Sequence, residues 1–137
     1  MIVLDTHSWI WAMQDDPRLG PTTRNELAQA ARQNALRVPA ITCWEVAMLV
    51  AKNRLALNMD VATWIGRALS LPGIGLEPLH PGIAIESTRL PGEPHGDPAD
   101  RLIIATARHL DATLVTADGK ILAYAAAGHA RALDATS

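Results

Sequence analysis

Apolar residues along this chain fall into short blocks whose spacing alternates between two periods. MIVL at the N-terminus is a continuous apolar run containing a β-branched pair, which predicts a buried strand. His7 to Met13 then predicts a short helix, ended by the polar stretch QDDPRLGP. Pro21 stands where a first helical turn tolerates proline, and Leu27, Ala30, Ala31 and Ala35 recur at helical spacing behind it. LRVPAI predicts a second strand. Thr42 is expected to cap the helix CWEVAMLVAKNRL, with Glu45 three residues on in the capping-box position. MDVATWIGRALSLPG predicts another helix, stopped by Pro72 and Gly73. A weaker strand is expected over Ile74 to Leu79, a short helix over Gly82 to Leu90 and a rigid loop over PGEPHGDP. ADRLIIATARHLD predicts a strongly apolar helix and TLVTAD a strand, and KILAYAAAGHARALDA predicts a helix turning at Gly128 into a last short strand.

Strands separated by helices predict an α/β sandwich, a parallel sheet covered on both faces. In open sheets of this kind ligands bind beyond the carboxyl ends of the strands, where the loops converge. Asp5 follows MIVL and Asp118 follows TLVTA in the same way, so both carboxylates are expected at that one edge. Glu45, in the first turn after LRVPAI, and Asp100, in the first turn of ADRLIIATA, can join them. Four ionised carboxylates gathered away from bulk water repel one another, and a divalent cation resolves the repulsion. Oxygen-only donors favour Mg²⁺ or Mn²⁺ over zinc, and the chain holds no HExxH or CxxC motif to argue otherwise.

Structural alternatives stand beside each acid. Asp97 before Pro98 has the form of a helix N-cap, which leaves it a supporting place at the site; Asp118 also suits a cap for the last helix and Glu45 a capping box. Trp9, Trp11, Trp44 and Trp64 are expected as core or interface anchors, with one of Trp9 and Trp11 inward and the other toward a partner. Arg101, Lys52 and Lys120 are candidates to approach phosphates or, equally, solvated charges. The histidines show no ligand spacing.

Composition narrows the classes. With 137 residues, 49% hydrophobic and 19% charged, one core is expected, hence a single domain over 1–137. A formal charge of -2 gives no basic footprint, so contact with nucleic acid would be local or assisted by metal ions. Cys43 alone supports no disulfide framework, and no apolar run approaches the ~18 residues of a membrane span. The expected location is the cytoplasm.

MIVLDTHSWIW, VPAITCWEVAMLVAKNRLAL, HGDPADRLIIATARHL and ATLVTADGKI, in that order and at these separations, resemble the PIN domain, specifically the VapC-type toxins of toxin-antitoxin pairs. The resemblance covers essentially the whole chain. It implies a five-stranded parallel sheet and a Mg²⁺-dependent ribonuclease site built from Asp5, Glu45, Asp100 and Asp118, with Asp5 and Asp100 as principal ligands. It also implies a 5′-phosphate product, frequent homodimerisation and a VapB-like antitoxin that occupies the site. Ala99 stands where an aromatic is commoner in the family. Receiver domains and haloacid-dehalogenase phosphatases fit less well, since Thr6 and His7 occupy positions where those folds need acids. The alternative is a PIN-fold interaction module of weak activity.

Overall fold

A computed structural model describes residues 1–94 and 96–137. Five strands, β1 (Ile2–Leu4), β2 (Leu36–Pro39), β3 (Ile74–Glu77), β4 (Thr113–Thr116) and β5 (Arg131–Asp134), form one sheet in the order β3-β2-β1-β4-β5, with every neighbouring pair parallel. Between them run α1 (Thr6–Gln14), α2 (Pro21–Arg32), α3 (Ala40–Ala51), α4 (Val61–Leu69), α5 (Pro81–Ser87), α6 (Pro98–His109) and α7 (Gly119–Ala126). The strand order reverses direction at β1, so the crevice at the carboxyl ends of β1 and β4 is where an open parallel sheet offers a site.

The pleat sorts the core into two halves. Leu4 and Val115 face one side, where Trp9, Ile10, Trp11, Val38, Val46 and Trp64 are buried, and the rings of Trp9 and Trp64 meet edge-on with centroids 5.0 Å apart. Val3 and Leu114 face the other, against Ile83, Ile103, Ile104, Ile121 and Tyr124. Such continuous apolar strands are what a sheet covered on both faces requires. Gly73, at φ +85, carries the chain into β3 where a Cβ would lie 2.1 Å from the Ala31 carbonyl oxygen, so only glycine fits that approach.

Two local expectations are corrected. Trp11 does not face outward: it is buried beside Trp9, with the Arg18 guanidinium 4.7 Å above its ring. Thr42 does not cap α3. The ladder stops at Pro39, which lacks an N–H, and the helix begins at once with Ala40; Thr42 is inside it, its buried hydroxyl without a hydrogen-bond partner among the described residues. Glu45 is therefore free of capping duty. Asp97 and Asp118 do cap, accepting from Asp100 N–H at 3.1 Å and from Lys120 and Ile121 N–H at 2.8 and 3.0 Å. The loop expected over PGEPHGDP connects α5 to α6, with Pro98 as the first residue of α6 and His95 outside the described residues.

Candidate active site

β1 ends in Asp5 because its apolar run ends there, and Asp5 is at once the N-cap of α1. Its carboxylate is buried, and each oxygen is engaged. Oδ1 accepts from the Thr6 N–H at 2.8 Å and Oδ2 from the Thr116 hydroxyl at 2.6 Å. The same Thr116 hydroxyl accepts the Asp118 N–H at 3.0 Å, so one buried group at the end of β4 orients Asp5 and anchors the turn that carries Asp118. Glu45, in the second turn of α3, accepts from the Thr6 hydroxyl at 2.7 Å. Asp100 projects from the first turn of α6.

Among the described residues, carboxylate oxygens of Asp5, Glu45 and Asp100 lie within 4.8 Å of one another. Asp118 and Asp97 line the same cleft of about 430 Å³, with Thr6, exposed His7 and the edge of Trp11, but stand outside the three-way cluster. Of the four acids expected to gather, the fold thus brings three into ligand range of one another and leaves the fourth on the wall. Lys52 lies beyond the far end of α3, whereas Arg101 follows Asp100 directly and Lys120 stands two residues after Asp118, neither of them lining the cleft itself.

Burial and crowding act together on these groups. Asp100 is pushed up to about 7, first by loss of solvent and then by the charges of Asp5, Asp97, Asp118 and Glu45. Burial also raises Asp5, against the lowering effect of its bond from Thr116, and raises Glu45, with Asp5 and Asp97 adding repulsion. A hard divalent cation suits this donor set. The ligand atoms are all carboxylate oxygens, and atoms about 2.1 Å from a common centre stand up to about 4 Å apart, close to the spread seen here.

Thr6 and Thr116 are the site residues that motif reasoning did not assign. The signal was there: a hydroxyl directly after the strand-ending acid in LDT, and another inside an otherwise apolar strand two residues before Asp118 in TAD. Beside the cleft, and sharing Glu45 and Asp97 with it, lies an apolar groove of about 400 Å³ between α3 and α6, where Trp44 is 56% exposed.

Residues 2–127 match the PIN domain family. Ribonuclease VapC22 of Mycobacterium tuberculosis is 32% identical over 124 residues, 90% of this chain and 91% of that protein. Among solved structures, VapBC2 from Rickettsia felis bound to a DNA fragment from its promoter superposes with a TM-score of 0.71 at 20% identity, covering 97% of this chain and 98% of that one. FitAcB from Neisseria gonorrhoeae superposes with a TM-score of 0.65 at 22% identity over 98% of each.

Proposed function

The chain belongs to the PIN domain family, and we propose that it is a Mg²⁺-dependent ribonuclease, the toxin of a VapBC-type pair, formed by one domain over 1–137. The observation that carries this reading is the convergence of Asp5, Glu45 and Asp100 in one cleft, from β1, α3 and α6. Asp5 and Asp100 act as principal ligands of Mg²⁺ or Mn²⁺. Glu45 and Asp118 complete the shell directly or through water, and either orients the water that attacks the phosphodiester. When bound, the divalent cation lowers the cost of deprotonating that water and neutralises charge building on the phosphate oxygens. Thr6 and Thr116 hold Glu45 and Asp5 in place throughout, and Lys120 and Arg101 are the cations that approach the RNA backbone. Water adds to phosphorus as the P–O3′ bond breaks, and the departing 3′-oxygen takes up a proton, so hydrolysis leaves a 3′-hydroxyl and a 5′-phosphate, as the family resemblance implies.

The partner we propose is an antitoxin, in keeping with the likeness of this fold to VapBC2 and FitAcB. An arginine from it, planar and permanently charged, bridges two carboxylates and competes with the cation for them. With Trp9 and Trp11 buried, Trp44 is the tryptophan available for apolar contact with the antitoxin or in a homodimer. No helix among the described residues is long and apolar enough to cross a membrane, and the proposed place of action is the cytoplasm. The test is incubation of partner-free protein with total RNA, in Mg²⁺ and in EDTA, with the fragment ends sequenced. Fragments bearing 5′-phosphates that appear only with metal are expected; intact RNA with both Mg²⁺ and Mn²⁺ would overturn the reading.

A further inference from the structure

Glu45 stands where two cavities meet. It lines the acidic cleft on one side and the apolar groove of Ile41, Trp44 and Met48 on the other. A glutamate has enough torsional freedom to point into either, so something must select the orientation that brings its oxygen to Asp5 and Asp100. In the cleft its Oε1 accepts the Thr6 hydroxyl at 2.7 Å.

Thr6 can donate there because of its place in α1. A hydroxyl inside a helix or at its carboxyl end commonly turns back onto a carbonyl of the preceding turn, and several here do: Ser70 to Gly66 O, Ser87 to Ala84 O, Thr88 to Ile85 O and Thr106 to Leu102 O. Thr6 is the first residue of α1 and has no preceding helical turn, so its one hydroxyl proton is left for a partner across the cleft. It is 2% exposed, which removes water as a competitor. Its N–H meanwhile holds Asp5 Oδ1 at 2.8 Å, so one residue grips acids that lie 40 positions apart in the chain through two different atoms.

We propose that Thr6 is the positioning residue for Glu45, its hydroxyl selecting the cleft-facing conformation that completes the cluster with Asp5 and Asp100. The inference rests on the metal-site reading above and goes beyond it by assigning the residue that sets the geometry of one ligand. It separates the two functions of Thr6. Loss of the hydroxyl frees Glu45 toward the groove, while the N–H bond to Asp5 survives any substitution that keeps the helix.

The test is Mn²⁺ affinity of RNA-free protein, by electron paramagnetic resonance or calorimetry, with melting in EDTA as the control for folding. Thr6→Val removes the hydroxyl at nearly constant shape and is expected to weaken Mn²⁺ binding about tenfold, in the range seen when a group that orients a ligand is lost. Thr6→Ser keeps the hydroxyl and stays close to wild type. In a Glu45→Ala background Thr6→Val costs nothing further, because a residue that acts through Glu45 has no effect once Glu45 is gone. Should Thr6→Val fail to fold, Thr6→Ala removes the hydroxyl without a second branch and replaces it. Unchanged affinity, full additivity with Glu45→Ala, or a Thr6→Ser variant as weak as Thr6→Val would each overturn the assignment while leaving the metal site standing. Wild type that binds no Mn²⁺ would overturn the metal site itself and the assignment with it.

Discussion

In the loop between α1 and α2, Asp16 accepts bonds from the Arg18 N–H at 2.9 Å and from its guanidinium at 3.1 and 2.8 Å, and these hold it down to about 2. In the cleft Asp100 is pushed up to about 7. The residue type is the same, and the surroundings separate the two. A third arrangement sits away from the cleft, where the Arg108 guanidinium pairs with Glu86 at 2.9 Å and also donates to the His129 carbonyl. Acids of the loop and of this ion pair meet arginines, whereas Asp5 and Glu45 are held by hydroxyls and an amide, neutral donors that fix a carboxylate without cancelling its charge. The lesson is that like charges gathered on neutral supports store an attraction for a cation, while arginine-paired acids have already spent theirs on structure.

The widest gap between these regions should appear in catalysis. Asp5→Asn and Asp100→Asn each remove an anion from the cluster and are expected to lower Mg²⁺-dependent cleavage on the order of a hundredfold or more, with the fold retained by circular dichroism; full activity at saturating Mg²⁺ would sink that residue's role. Arg108→Met should do the reverse. It leaves Glu86 and the His129 carbonyl without their donor and is expected to cost about 1–2 kcal/mol of stability in urea denaturation, with cleavage unchanged. A fall in cleavage at constant stability would dissolve the distinction between structural and cleft acids.

A smaller effect concerns pH. Asp100, Asp5 and Glu45 are raised in the folded protein, so between their unfolded values and their folded ones the native state holds more protons than the unfolded chain. Stability must then fall as pH rises. Melting in EDTA is expected to drop by several degrees from about pH 4 to about pH 7, and Asp100→Asn should flatten the drop and melt higher than wild type at pH 7. Mg²⁺ should restore wild type by binding linkage and help the variant less. A wild-type curve flat across that window would show the crowding to be relieved by other means. Asp16 runs the other way: its stabilising effect is complete above pH 4 and lost only as pH falls toward 2. Asp16→Asn removes that effect at neutral pH, but solvent screens this exposed pair, so melting should fall only slightly and cleavage should stay where it was.

Much of this contrast was legible before any coordinates. Apolar runs that end in an acid placed Asp5 and Asp118 at one sheet edge, since strand period and parallel topology leave little choice. The helix of Asp100 announced itself through Asp97 and Pro98, whose cap the structure contains. Failures came where local chemistry admits two solutions. Thr42 has the composition of a cap, but a proline four residues before the first expected helical position ends the strand sooner than a hydrophobicity pattern can say. Trp9 and Trp11 lie on different sides of α1 and are nonetheless both covered, because Arg18 and the neighbouring elements close over the second. The threonine hydroxyls stood in view beside the strand-ending acids, but their partners did not: the hydrogen bond from Thr116 to Asp5 spans 111 positions, and nothing in either neighbourhood announces which acid each hydroxyl holds.

That span gives the central position of β1 a consequence in time. β1 is flanked by β2, which follows it closely in the chain, and by β4, which follows more than a hundred residues later. A growing chain that has reached residue 90 carries Asp5 and Glu45 but neither Asp100 nor the Thr116 hydroxyl that orients Asp5, and pairing of such distant strands is the slow part of folding. The cleft therefore cannot take shape until Asp100 and Thr116 have joined the chain, well after Asp5 and Glu45, so its two halves meet late in folding.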